Sequence, residues 1–225
     1  MVIGWENIDN LEDYYITYLL YRESLNVEQI ARVRNKSVEE VNNDLITAKD
    51  IIRKTKKSLV QGQEEKDIID YFLSLSKDER LDFMSKLKNS DINDFKRKVY
   101  RGILRLDNVD DLMVLVWAAG EFRDARFLDI LYPITEKKHA NIRRIAYSAI
   151  GKIGSTSSSN IMEMGLSDTN PQVRQYCAKS LANLGTKDSI KILENLIKLK
   201  ADFEKDYVLR AARESLDALH IKYSV

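Results

Sequence analysis

The sequence predicts an all-α chain, on three observations. Apolar residues recur at helical spacing along nearly all of its 225 residues, with no sustained period-2 alternation. Turn punctuation is sparse, with 8 Gly and 2 Pro, fewer than a sandwich or an α/β fold of this length needs. One helical pattern also returns every 31 residues in the second part of the chain, which predicts stacked helix pairs.

Composition narrows the function. Lys+Arg number 36 and Asp+Glu 35, a formal net charge of +1, so no bulk basic excess points to nucleic acid or an anionic membrane. Cys177 is the one cysteine, which excludes an internal disulfide and a Cys-cluster zinc site. His139 and His220 are isolated from other ligand types and are expected at the surface. No apolar run approaches the ~20 residues of a membrane span. The start, Met1-Val2-Ile3-Gly4-Trp5-Glu6, lacks the basic and apolar regions of a secretory signal, so a cytoplasmic protein is expected.

The first element is an aromatic-rich helix over 11–23, with Tyr14, Tyr18 and Tyr21 on one face as core. Asn26 caps a short helix running to Arg34. After the turn Asn35-Lys36-Ser37, Ser37 and Glu40 form a capping box for a long helix whose buried face is Val38, Val41, Leu45 and Ala48. Short helix, tight turn and second helix make a helix-turn-helix. The looser Val60-Gln61-Gly62-Gln63 divides the chain into 1–60 and 61–225.

Beyond it, Ser76 and Glu79 form another capping box, and Asp91, Thr186 and Asp188 mark further starts. The repeat is clearest at Ile142, Ile145, Ala146, Ala149, Ile150 and Ile153, three turns of one helix face. Thirty-one residues on stand Val173, Tyr176, Cys177, Ser180, Leu181 and Leu184. Thirty-one back stand Asp111, Val114, Leu115, Ala118, Ala119 and Phe122. A step of 35 from the second set gives Val208, Ala211, Ala212, Ser215, Leu216 and Leu219. Gly154 and Gly185 follow two of these helices, at C′ positions suited to positive φ. The pairs run roughly 63–88, 91–121, 124–153, 156–184 and 187–220, and the extra residues of the last fall near Lys200–Glu204. A lone pair cannot bury its apolar face, so its neighbours must complete the core.

The segments Leu166-Ser167-Asp168 … Val173-Arg174 … Ala178 … Leu181 … Leu184-Gly185 and Ile142-Arg143 … Ala146 … Ala149-Ile150-Gly151-Lys152-Ile153-Gly154 resemble the HEAT-repeat family, in the short form known from phycobilisome lyases. The resemblance implies an α-solenoid of about five HEAT-like helix pairs preceded by the helix-turn-helix-like unit. It also implies a structural ladder of Asp and Arg, clear here as Asp168 with Arg174. Arg143 is present, Lys137 stands 31 before Asp168, and Leu209 takes the Arg174 place in the last repeat.

The stretch Leu25 to Lys54 resembles region 4 of bacterial sigma factors, which implies a bacterial source and a second helix that enters the DNA major groove. The charges oppose that role: Glu39, Glu40 and Asp44 lead the helix, and segment 1–60 carries a net −1. Its cations Lys49, Arg53, Lys54, Lys56 and Lys57 gather at the helix end, where they suit the dipole and are the candidate phosphate contacts.

The sequence holds no phosphate loop, no metal-ligand cluster and no nucleophile with a base, and Cys177 occupies a core position. No cofactor is expected, and the chain is read as non-catalytic. HEAT-like DNA glycosylases offer a faint precedent in Trp117 and Glu121 with Arg143 or Arg144, at a spacing too common to be a motif. The expected function is a protein-interaction scaffold or adaptor that binds its partner on the concave face. Met113, Arg144, Gln175 and Arg210 form one row there. Val116, Tyr147, Ala178 and Arg213 form a second, and Trp117, Ser148, Lys179 and Glu214 a third. The partner-binding set is therefore Met113, Trp117, Arg144, Tyr147, Lys179, Arg210 and Arg213, residues suited to an acidic peptide with apolar anchors. A monomer without membrane contact is expected. The alternative functions are a DNA-binding regulator and, less favoured, base excision.

Overall fold

A computed structural model describes residues 3–60 and 68–224, with the backbone alone for 56–60 and 89. Among them there is no strand, and the chain is all-α. It divides into two compact units, residues 1–102 with 107–111, and residues 103–106 with 112–225. The sequence boundary near 60 rests on composition and is a separate feature. Residues 61–67, which suggested the earlier boundary, lie outside those described.

In the first unit, α1 (Asp13–Arg22) packs on α3 (Val38–Val60), and α2 (Val27–Arg34) fits between them in sequence and touches both. The Asn26 side chain accepts from the Gln29 N–H at 2.8 Å, and the Gln29 side chain accepts from the Asn26 N–H at 2.9 Å. Ser37 and Glu40 close the predicted second box. Each such cap is worth about 1 kcal/mol. Asn35 turns the chain between the helices at φ 50°. Val41, Leu45 and Ala48 are buried as expected, whereas Val38 is 45% exposed because it occupies the first helical position, at the rim. Tyr15 joins Tyr18 and Tyr21 in the core, and Tyr14 is only half-buried.

Helix α4 (Ile68–Ser74) packs on α3. With α5 (Lys77–Lys86) and α6 (Asn89–Arg105) it shares an aromatic cluster. The Phe95 ring lies 5.0 Å from Phe72 and 5.2 Å from Phe83, both edge-on. The Ser76–Glu79 box starts α5 as predicted, while Asp91 sits inside the first turn of α6 and not at its start.

The second unit carries the repeat in its element boundaries. A 3-10 turn (Ala125–Phe127), α8 (Leu128–Ile134) and α9 (Ala140–Ile153) are followed 31 residues later by a 3-10 turn (Thr156–Ser158), α10 (Ser159–Gly165) and α11 (Pro171–Leu184). Then come α12 (Lys187–Lys200), started by a Thr186 capping box, and α13 (Asp206–Tyr223). Helices α9, α11 and α13 pack in series, and α8, α10 and α12 lean on α9, α11 and α13 respectively. The four-residue lengthening of the last repeat, expected as a longer loop near Lys200–Glu204, lies instead in α12, since the turns 166–170 and 201–205 have equal length.

Hydrogen bonds repeat with the same step. Tyr132 meets the Ser158 hydroxyl at 2.9 Å, and Glu163, 31 residues on, accepts from Ser189. Arg143 donates to the carbonyls of Lys137 and Lys138, and Arg174 to those of Asp168 and Thr169. Small residues set the helix spacing. A Cβ on Gly120, in α7 (Val109–Glu121), would lie 2.6 Å from the Ala149 Cα. Gly154 takes φ +76° as predicted, but Gly185 does not. It is needed for space instead, since a Cβ there would meet the Leu181 carbonyl oxygen at 2.6 Å and Leu219 at 2.9 Å.

The predicted core positions Ala146, Ile150, Cys177, Leu181, Ala212 and Leu219 are all buried. Two expectations need correction. Leu216 is only half-buried, and the position shared by Val114, Ile145 and Tyr176 is a border, with Tyr176 36% exposed.

Candidate functional site

Consecutive arginines on α9 define the two sides of the second unit. Arg143 holds Asp168 through two hydrogen bonds of 2.7 and 2.8 Å, with both side chains largely buried. Arg174 holds Glu204 in the same bidentate manner, both at 2.6 Å. The ladder therefore differs from the expected Asp168–Arg174 pair. Each guanidinium grips the carboxylate of the following repeat and only the backbone carbonyls of its own. The places one step before and after are held by Leu112 and Leu209, both buried and apolar, so the ladder has two rungs among the described residues. Burial works to raise the Asp168 pKa, but the Arg143 hydrogen bonds and the Asn170 N–H overcome it and hold the carboxyl below its ordinary range. Glu204 is also held low, burial being outweighed by Arg174 and the Lys205 N–H.

Arg144 faces the other way. It is half-buried, and its Nε is shielded from water without a hydrogen-bond partner among the described residues. It lies on a ridge set by the 31-residue step, since Lys152 reaches Glu121 at 2.5 Å between neighbouring helices. The same step aligns Met113, Arg144 and Gln175, all half-buried, with Arg210 exposed 35 further on. It also aligns Trp117 and Ser148, half-buried, with the exposed Lys179 and Glu214. Lys179, Arg210 and Arg213 are exposed and make no ion pair among the described residues.

The row of Val116, Tyr147 and Ala178 is corrected. Val116 and Ala178 are fully buried and Tyr147 is 6% exposed, leaving Arg213 alone at the surface. That row sits one position round the helix from the ridge, and the Tyr147 ring turns inward over Gly165. A Cβ on Gly165 would strike Cys177 and come within 2.7 Å of that ring. Burial, followed by the nearby Cys177, pushes the Tyr147 pKa up to about 12. Conversely, Tyr176 was assigned to the core by the repeat template. It adds an exposed aromatic beside Gln175 and Lys179, and the apolar Val114 and Ile145 at the equivalent positions gave no sequence signal of it.

Cys177 is fully buried, and burial raises its thiol pKa well above the ordinary value, as suits a core residue. His139, expected at the surface, is buried at the N-cap position of α9. Among the described residues no three His, Cys, Asp or Glu side chains gather as a metal site. Two residues of the excision precedent pair within the fold, Glu121 with Lys152 and Arg143 with Asp168.

The described cations of α3 also pair within the first unit. Lys49 lies 3.0 Å from Asp110 and 3.9 Å over the Tyr21 ring. Burial opposes its charge, but Asp110 and Tyr21 prevail and its pKa is raised. Tyr18 donates to the same Asp110 at 2.7 Å. Arg53 and Lys54 share Asp50 at 2.5 and 2.7 Å and stay exposed. The side chains of Lys56 and Lys57 lie outside the described residues. At the front of α3, Asp44 accepts from Thr17 at 2.7 Å and from Lys36 at 2.6 Å, and Asp13 binds Arg34 and Lys36.

No family model matches the chain, and no curated protein matches it significantly. No helix among the described residues is long and apolar enough to cross a membrane.

Proposed function

We propose that the chain is a HEAT-type α-solenoid that acts as a non-catalytic scaffold, holding an acidic protein segment along the ridge of α7, α9, α11 and α13. The 31-residue step in helix boundaries and hydrogen bonds supports the solenoid reading. The observation that carries the binding reading is the contrast between neighbouring arginines. Arg143 and Arg174 are saturated by carboxylates, while Arg144 keeps a shielded, unpartnered Nε on a face that also offers Lys179 and Arg210. An arginine on this face that no carboxylate among the described residues engages can pair with a partner's carboxylate through its terminal guanidinium nitrogens. Met113, Trp117 and Tyr176 supply apolar area of the type that anchors interfaces.

The α2–α3 pair is read as an internal packing element. Asp44 and Asp13 neutralise Lys36 and Arg34, and Lys49 is committed to Asp110, which leaves few cations for phosphate.

The test compares affinity capture by the native chain, by Arg144→Glu/Lys179→Glu/Arg210→Glu, and by a control reversal at the exposed Lys187 and Lys191. The reading predicts discrete partners lost only with the first variant. Equal capture by all three would refute the ridge. Salt-sensitive binding of a DNA duplex by the native chain would favour the regulator instead.

A further inference from the structure

A cleft lies on α8, α9 and α10, apart from the arginine ridge. It has a volume of about 260 Å³. That is below the ~300–1,000 Å³ of small-molecule sites and suits one side chain. Pro133, Ile161 and Met164 give it apolar walls, and Met164 is 66% exposed despite its size. Tyr132 and Tyr147 contribute aromatic rings. The Tyr132 hydroxyl meets Ser158 at 2.9 Å and its half-buried ring is the aromatic surface on offer, while the buried Tyr147 ring closes the floor. Tyr147 is seated by Gly165, the residue whose missing Cβ leaves room for the ring.

The charge of the lining is one-sided. Glu136 is the single ionisable acid there, it is exposed, and it makes no ion pair among the described residues. No basic side chain lines the cleft. A cleft with apolar walls, one half-buried tyrosine ring, the Thr135 side chain and one carboxylate unpaired among the described residues favours a cation on an aliphatic stem.

We propose that this cleft receives a lysine side chain of a partner protein. The methylene stem lies against Pro133, Ile161 and Met164, and the ammonium reaches Glu136 beside the Tyr132 ring. This site does not depend on the ridge and takes the opposite charge.

The test is a titration of the full chain, labelled at its methionine methyl groups, with Nα-acetyl-lysine methylamide. Met164→Leu assigns the reporting resonance among the 5 methionines. The Met164 methyl signal is expected to shift saturably, and Glu136→Gln to weaken the apparent affinity about tenfold. Nα-acetyl-norleucine methylamide, which lacks the ammonium, is expected to leave the signal in place. A Met164 signal that does not move, an equal response to norleucine, or an unchanged affinity in Glu136→Gln would each overturn the proposal. Because Glu136 is exposed, its substitution leaves the fold intact, and the unliganded spectrum verifies this.

Discussion

Arg143 and Asp168, 25 residues apart, are joined by two parallel hydrogen bonds that tie one helical repeat to the next. Arg174 and Glu204 reproduce the arrangement one layer on. Together these rungs fix the turns before α11 and α13, and so fix the heights at which neighbouring helices meet.

Removing one member of a rung strands the other. Asp168 is 8% exposed at its side chain and Glu204 1%. Arg143→Ala and Arg174→Ala are each expected to lower unfolding free energy by about 3 kcal/mol, the cost of a buried charge left alone. Urea titration measures this. Arg143→Met with Asp168→Leu should lose less than Arg143→Ala, since no charge is stranded.

The same rungs give the protein an acid limit. Asp168 and Glu204 titrate lower in the fold than in the unfolded chain. Their contribution is therefore complete above the ordinary carboxylate pKa of about 4 and is lost as pH falls through the lower folded values. Urea midpoints should decline steeply only below that range. Asp168→Asn with Glu204→Gln should flatten the decline while lowering stability at neutral pH.

Close helix approach is a separate support. In Gly120→Ala the new Cβ would sit 2.6 Å from the backbone of Ala149, which cannot swing aside as a side chain can. Overpacking of this kind costs about 1–3 kcal/mol. A melting point equal to that of the native chain would show that α7 and α9 can separate freely.

The sequence made most of this architecture readable, for reasons visible in individual residues. Ala146, Cys177 and Ala212 recur because small side chains let helices meet, and a recurring small residue survives in the text. Ser37 with Glu40 and Ser76 with Glu79 are local devices, complete within four residues. The ladder was misread because its pairs are not local: Arg174 and Asp168 are neighbours in sequence, yet the guanidinium reaches forward to Glu204. Tyr147 was misplaced by one helical position, and a 100° rotation carries a residue from ridge to core. The cleft at Glu136 has no sequence signature, because it is assembled from three helices by the stagger of one repeat over the next.

The direct test of the ridge is photocrosslinking from a single site in cells that express the protein. A benzophenone side chain placed at Ser148, between Trp117 and Lys179, is predicted to give one discrete adduct that Arg144→Glu abolishes. The same group at Lys198, on the exposed side of α12, is predicted to give none. An adduct from position 198 alone, or one from 148 that persists with Arg144→Glu, would contradict the account.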